Sequence, residues 1–456
     1  MPVKRLALSL VALGVVAAAF AGGARAETLE DALISAYQSN PTLLAKRAEL
    51  RSVDEGVAEA RSGYRPTISV DGDVGHTEFE TESPAGTQDA SLNPRLVSLN
   101  AVQPIYLGGR TPAAIRVAEN QVQAARADLQ VTEQRVLLDT VTGFVDVLRD
   151  QAEVDLNIKN VMVVGKQLEA AKNRFDVGDV TRTDVAQAEA RLAQAEADRV
   201  RADGNLIKSR SIYREVVGTM PGKLEWPEPA LRISESEEAA LELASKANPA
   251  IIAAEFGERA AREQIEVARS ALRPKVQLRG QLSKAYDRST FFEEEAEASI
   301  RAEVTVPLYQ SGSEYAEIRR SKQVSDQRRL ELDVARRAVL DEVTRAWEAL
   351  VTARSQRKAF DAQITAATAA LDGVSQEADL GLRTTLDVLD AEQELFAAQV
   401  NAVRARRDDL FAGYWVKSTV GEMTAELLAL PVDTYDVNAY YNRVRNKWIG
   451  TDIDDN

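Results

Sequence analysis

The chain has 456 residues, no cysteine, a single histidine and a formal net charge of −15, from 71 acidic and 56 basic residues. This excludes disulfides, thiol catalysis and cysteine-ligated metal centres. It leaves His76 without a second imidazole for a catalytic or metal cluster, and provides no basic surplus for a nucleic-acid backbone. Aromatics are only 5% while charged residues reach 28%, and with abundant alanine that mixture points to long helices.

The N-terminus reads as a secretory leader. Lys4 and Arg5 form its positive end, Leu6 to Ala21 its apolar run, and Ala24-Arg25-Ala26 supplies small residues for the peptidase. Cleavage after Ala26 makes Glu27 the first residue. Loss of Lys4, Arg5 and Arg25 takes the charge from −15 to −18. No cysteine stands at the cut, so an N-terminal lipid anchor is excluded. The remaining chain has no apolar run long enough for a membrane helix. If it spans a membrane, it does so with strands in a closed barrel.

From residue 27 the chain is duplicated. Asn40-Pro41 recurs at Asn248-Pro249, and Arg65-Pro66 at Arg273-Pro274, both 208 residues on. Pro104-x-Tyr106 recurs at Pro307-x-Tyr309, Asp184-Val185 at Asp387-Val388, and Val217-Gly218 at Val420-Gly421, now 203 residues on. The single change of register falls between Pro66 and Pro104, which marks a loop tolerant of length change. The division is a leader at 1–26, a first repeat at 27–220, a linker at 221–237, a second repeat at 238–420 and a C-terminal segment at 421–456.

In chain order, each repeat opens with helix and passes into a strand pair. The first pair is Thr67–His76 and Leu96–Gln103; the second is Lys275–Tyr286 and Ala298–Val306. In the last strand Ile300, Ala302, Val304 and Val306 alternate with Ser299, Arg301, Glu303 and Thr305, the period of a half-buried strand or a barrel wall. The pairs enclose polar loops at Thr77–Pro94 and Asp287–Glu297. Four strands do not close a membrane barrel, which needs about eight, so several chains would share one. Gly108-Gly109 reads as the turn from strand to helix.

Proline is absent from Ala113 to Met220 and from Leu308 to Leu430, which leaves room for very long helices. Ala113 to Phe175 alone would run roughly 95 Å at ~1.5 Å per residue. Gly178 and Gly381 interrupt the two stretches at matching places and read as hairpin turns. Val388, Ala391, Leu395, Ala398, Ala402 and Ala405 follow 3,4 spacing, and Val185, Ala188, Leu192, Ala195, Arg199 and Ala202 repeat it, as the seam of a coiled coil.

Three stretches carry a family likeness: Arg174-Phe175-Asp176-Val177-Gly178 through Thr183-Asp184-Val185, Pro307-Leu308-Tyr309-Gln310-Ser311-Gly312, and Gly381 through Asp390. With the leader, the duplication and the strand inserts, the chain resembles the TolC-type outer-membrane efflux proteins over essentially its whole mature length. The resemblance implies a mainly α fold with membrane β. It would be a homotrimer with a shared twelve-stranded barrel continued by a helical coiled-coil barrel across the periplasm. It also implies the exit duct of a tripartite efflux or type I secretion system. The partners would be a periplasmic adaptor and an inner-membrane ABC or RND-type transporter, with no cofactor.

The likeness assigns roles residue by residue. Asp387 and Asp390 match the family's periplasmic entrance carboxylates. They are three apart on a helix and share a face, and clustering about an axis would raise their pKa values and favour cations. The first repeat keeps Asp184 but has Gln187 where Asp390 stands. Thr183, Asp184 and Arg383 match the polar links that close the family's gate, while a tyrosine of that pattern falls at Ala378. The tips match the adaptor-docking motif: Val177, Gly178, Asp179, Val180 and Thr181 in one, Leu380, Gly381 and Leu382 in the other. No nucleophile motif or phosphate loop is present, so no enzyme is expected. The competing reading is a secreted helical-hairpin scaffold resembling an adaptor.

Overall fold

The computed structural model describes residues 26–84, 86–227 and 234–453. The expected leader at 1–26, but for Ala26, lies outside them, as do the middle of the linker and the last three residues. Nine α-helices and six strands follow among the described residues. No helix among them is long and apolar enough to cross a membrane.

The duplication is visible element by element. The first half runs α1 (Leu29–Ser39), α2 (Pro41–Ser62), β1 (Thr67–Val74), β2 (Thr77–Ser83), β3 (Gly86–Leu92), β4 (Arg95–Leu107), α3 (Arg110–Asp176) and α4 (Arg182–Val217). The second runs α5 (Glu237–Ala247), α6 (Pro249–Arg269), β5 (Lys275–Ser289), β6 (Phe292–Thr305), α7 (Ser313–Asp379) and α8 (Thr385–Thr419), and α9 (Ala439–Val444) follows. Thr28 starts α1 with a capping box to Asp31. Asn40-Pro41 and Asn248-Pro249 divide the short helices, since proline removes a helix donor and fits a first turn. The two asparagines then do the same work. Asn40 Nδ2 donates to the Val216 carbonyl at 2.9 Å, and Asn248 Nδ2 to the Thr419 carbonyl at 2.8 Å. Each satisfies a carbonyl at the end of its half's last long helix.

The chain forms two compact units that cut across the repeats. Among the described residues, the first holds 26–40, 136–227 and 349–415. Its core centres on Phe144 and Tyr213, both fully buried with ring centroids 6.4 Å apart. Ala188, Ala195 and Ala202 bury one side of α4, and Ala398, Ala405 and Ala412 the same side of α8, at the heptad spacing of a close seam. Charged groups bridge α3 and α8: Arg407 Nε donates to Asp146 at 2.7 Å, and Arg404 holds Glu153 at 2.8 and 3.2 Å.

Among the described residues, the second unit holds 41–84, 86–135, 234–348 and 416–453. Its four-stranded antiparallel sheet has the order β1-β4-β5-β6. The register sets Val70 opposite Leu99, Leu99 opposite Leu282 and Gly280 opposite Ile300. These residues, with Ile68, Val74, Val97, Leu278 and Val304, form one face that is apolar and exposed. The opposite face carries Asp71 accepting from Asn100 at 2.7 Å and Arg279 paired with Glu303 at 2.8 Å. Arginines of α2, of the turn after it and of α3 hold the C-terminal segment: Arg47 stacks on Tyr435, Arg65 on Trp448 and Arg126 on Tyr441, all at about 5 Å.

The strands depart from expectation at their outer ends. The segment Thr77–Pro94 is not a loop but a second hairpin, β2 paired with β3 from Thr77 opposite Leu92 to Ser83 opposite Gly86. Asp287–Glu297 is also mostly strand, because β5 and β6 continue to a turn at Thr290 and Phe291. Phe79 and Thr81 between the glutamates of β2, and Phe292 ahead of those of β6, favour the extended chain. The polar composition masked it. At the inner end β4 continues through Pro104 by slipping register between Pro104 and Tyr106, a bulge where proline has no ladder donor to offer.

Candidate functional site

The two hairpin tips share one backbone design. Gly178 and Gly381 have φ of +80° and +76°, a left-handed conformation that a side chain disfavours. Gly178 N donates to Phe175 O at 2.9 Å and Asp179 N to Arg174 O at 2.9 Å. Gly381 N donates to Ala378 O at 3.0 Å and Leu382 N to Glu377 O at 2.9 Å. These bonds close the last turns of α3 and α7. A Cβ added at either glycine would meet nothing within 4 Å, so the conformation alone requires glycine.

Each tip then starts its return helix with the same capping box. At the first, Thr181 N and Oγ1 donate to Asp184 Oδ2 at 2.7 and 2.8 Å, and Asp184 N donates back to Thr181 Oγ1 at 3.3 Å. At the second, Thr384 N and Oγ1 both donate to Asp387 Oδ2 at 2.8 Å, and Asp387 N donates to Thr384 Oγ1 at 3.2 Å. The backbone donor, then the hydroxyl, holds both carboxyls below the usual aspartate range. Within the chain, therefore, Asp387 is shifted down. The rise expected from clustered charge has no source in a single copy.

The other predicted residues have distinct local partners. Asp390 accepts from Arg191 Nη2 of α4 at 2.9 Å, joining the two hairpins. Arg383 Nε donates to Glu377 Oε2 at 2.8 Å, and that carboxylate raises the guanidinium pKa further. Thr183 is exposed, and Ala378 is buried. Thr183, Asp184 and Arg383 are thus spread over a helix turn, a cap and a local ion pair, and the chain does not bring them together by itself. Val177, Leu380 and Leu382 are 80%, 76% and 73% exposed, so both tips present apolar side chains to water. Val180 is half-buried, while Asp179 is exposed.

Two features escaped sequence reading. The capping boxes had a local signal, Thr-x-x-Asp before each helix, which assigns Asp184 and Asp387 a structural duty beside any other. Arg191 had none, because its partner lies 199 residues away. Among the described residues no cluster of acidic or imidazole side chains has the arrangement of a metal site.

Comparison with known proteins agrees with this architecture. The family model "Outer membrane efflux protein" matches residues 32–218 and 240–411, one segment in each repeat. The outer membrane efflux protein BepC of Brucella suis is 36% identical over 430 residues, covering 94% of this chain and 92% of that protein. The outer membrane protein TolC of Vibrio cholerae is 27% identical, covering 91% and 94%. Among solved structures, the CmeC outer membrane channel of Campylobacter jejuni superposes with a TM-score of 0.79 at 16% identity, over 91% of this chain and 89% of that one. The chain belongs to the outer membrane efflux protein family and is an outer-membrane channel component.

Proposed function

We propose that this outer membrane efflux protein works as a homotrimer, the passive exit duct of a tripartite efflux or type I secretion system. One observation carries the reading: a four-stranded sheet with one exposed apolar face and one polar face. Four strands are too few to close a membrane barrel, and three copies give twelve. Lipid would meet Ile68, Val70, Leu99 and Ile300, and water the face of Asp71 and Arg279. The helices would continue the duct into the periplasm. The segments at 221–237 and 421–456 would pack around its middle.

The tips are the periplasmic end of this duct. Val177, Gly178, Asp179, Val180, Thr181, Leu380, Gly381 and Leu382 form the surface for a periplasmic adaptor, supported by the exposed apolar side chains at both turns. The adaptor would couple the duct to an inner-membrane transporter. Asp387 and Asp390 would set a negative entrance. Links involving Thr183, Asp184 and Arg383 between neighbouring copies would hold it closed until the adaptor docks.

Single-channel conductance of the purified protein in a planar bilayer tests the reading. A small cation-selective conductance, with selectivity weakened by Asp387→Asn/Asp390→Asn, is the expected result. A salt-washable monomer without conductance would overturn it in favour of a secreted scaffold.

A further inference from the structure

The apolar face of the sheet carries charge at one end alone. Opposite residues share a face, and so do alternate residues of one strand. Arg95 stands opposite Tyr286, Tyr286 opposite Glu294, and Val97 opposite Lys284. All of them therefore belong to the face of Leu99, Leu282 and Ile300. From Leu282 on to Val276 that face has no charged residue. The stretch from Val276 to Tyr286 rises roughly 25 Å, at ~3.3 Å per residue and a strand tilt of about 40°. The apolar band of a membrane barrel has the same height, about 25 Å. Exposed aromatics mark both limits, Tyr106 and Tyr309 at one, Tyr286 and Phe292 at the other. The long helices leave from the first limit, since α3 follows β4 and α7 follows β6. The charged end thus lies at the outer surface, at the depth of lipid head groups. The charges there do not cancel. Lys284 Nζ lies 2.6 Å from Glu294 Oε1 and 5.1 Å from the Tyr286 ring centroid. Arg95 is exposed and has no acidic partner among the described residues. Arg95 and Lys284 are diagonal neighbours across β4 and β5, roughly 7–8 Å apart, so both long side chains reach one phosphate.

We propose that Arg95 and Lys284 bind a phosphate of the phosphorylated glycolipid of the outer leaflet, whose acyl chains then lie along Val97, Leu99 and Leu282. This rests on the barrel reading above. The guanidinium takes two phosphate oxygens side by side, and the lysine adds a point charge. Glu294 competes with the phosphate for Lys284 and weakens the site.

The test inserts full-length protein into nanodiscs of neutral phosphatidylcholine doped with diphosphoryl lipid A, and counts bound lipid A by native mass spectrometry. Arg95→Gln and Lys284→Gln should each weaken binding about fivefold. Arg279→Gln, on the water face, should leave it unchanged. Glu294→Gln should strengthen it by freeing Lys284, and a gain of that kind is not mimicked by misfolding. Lipid A stripped of its phosphates should bind no better than phosphatidylcholine. Equal binding by Arg95→Gln and the unsubstituted protein, or of the stripped lipid, would overturn the proposal. Equal binding of phosphatidylglycerol would overturn the glycolipid as the source, and displacement by equimolar inorganic phosphate would overturn a lipid source altogether. Insertion is scored separately. Protein that inserts and ignores the phosphate overturns the site alone, whereas unsubstituted protein that does not insert overturns the barrel reading and the site with it.

Discussion

The two tips have the same backbone and different charges. Gly178 and Gly381, Thr181 and Thr384, Asp184 and Asp387 occupy equivalent positions and make equivalent bonds. One helical turn farther on the halves part: Gln187 and Arg191 stand against Asp390 and Glu394. The residues that close a helix or open one have been kept in both copies because the fold needs them twice. In the proposed trimer, those that would face a neighbouring copy are the ones that differ between the halves. Divergence between repeats is therefore a guide to function that a single-copy fold does not offer.

The largest effect expected concerns a feature the halves share. Ile300→Lys or Val70→Lys, on the exposed apolar face, should cost about 2–4 kcal/mol in membrane stability if the position is central in the bilayer. Urea titration of the protein folded into liposomes would measure it, and an innocuous lysine in either strand would break the equivalence of the two sheet halves. Next comes a feature the first half has alone. Asp54 of α2 is fully buried with one carboxyl oxygen unpartnered, and burial lifts its pKa to about 6 against the pull of Arg126. Its counterpart in the second half is Arg262, which pairs with Glu258. A raised carboxyl pKa disfavours the folded state as pH climbs through about 4 to 6, and the penalty is complete above that range. Asp54→Asn should therefore stabilise the protein at pH 7 by up to about 3 kcal/mol and do little at pH 4, read as a melting-temperature difference.

The glycines that end the two halves sharpen the comparison further. Gly218 and Gly421 have φ of +93° and +92°, but a Cβ at Gly421 would lie 2.8 Å from the Ala247 carbonyl, while one at Gly218 would lie 3.6 Å from Ser39 Oγ. Gly421→Ala should cost about 2–3 kcal/mol and Gly218→Ala about 1–2 kcal/mol in thermal unfolding. The asparagines test the likeness of the halves. Asn40→Ala loses its bond to Val216, and Asn248→Ala loses its bond to Thr419 and the cap on Ala250 N. About 1–2 kcal/mol is expected for each, read as a melting-temperature difference. Smallest is the acid response of the tips. Asp184 and Asp387 are held low, so their contribution is intact above the ordinary aspartate pKa and fades as pH falls through the lowered value. Hydrogen exchange at Thr181 and Thr384 should stay slow at pH 5 and quicken together below about pH 4. Quickening of one alone would show the two caps to be unequal.

Sequence reading reached the helices, the turns and the sheet, because each is announced locally. Proline-free stretches, isolated glycines and period-two alternation need no partner to be seen. The fold it missed was polar strand: Glu78, Glu80 and Glu82 hid β2, since pairing with β3 sustains a strand that its composition disguises. At the candidate site, Asp387 and Asp390 were found by likeness and their shared helix face by spacing. Their present partners, Thr384 and Arg191, separate them into a cap and an interhelical pair. The first was within reach of the local pattern. The second was not, because residues 199 apart meet only through tertiary packing.

The order of strands in the sheet has a consequence for how the chain matures. The hairpin β5–β6 is local, but β4 pairs with β5 from Arg95 opposite Tyr286 to Leu107 opposite Lys275, across the whole stretch from α3 to α6. Loop closure of that span is slow relative to helix formation, so the sheet is the last element to complete. Until then its apolar face is never presented whole. A nascent chain crossing an aqueous compartment thus carries the unpaired edges of β4 and β5 and their apolar side chains, a hazard of aggregation that lasts until the two distant parts of the polypeptide meet.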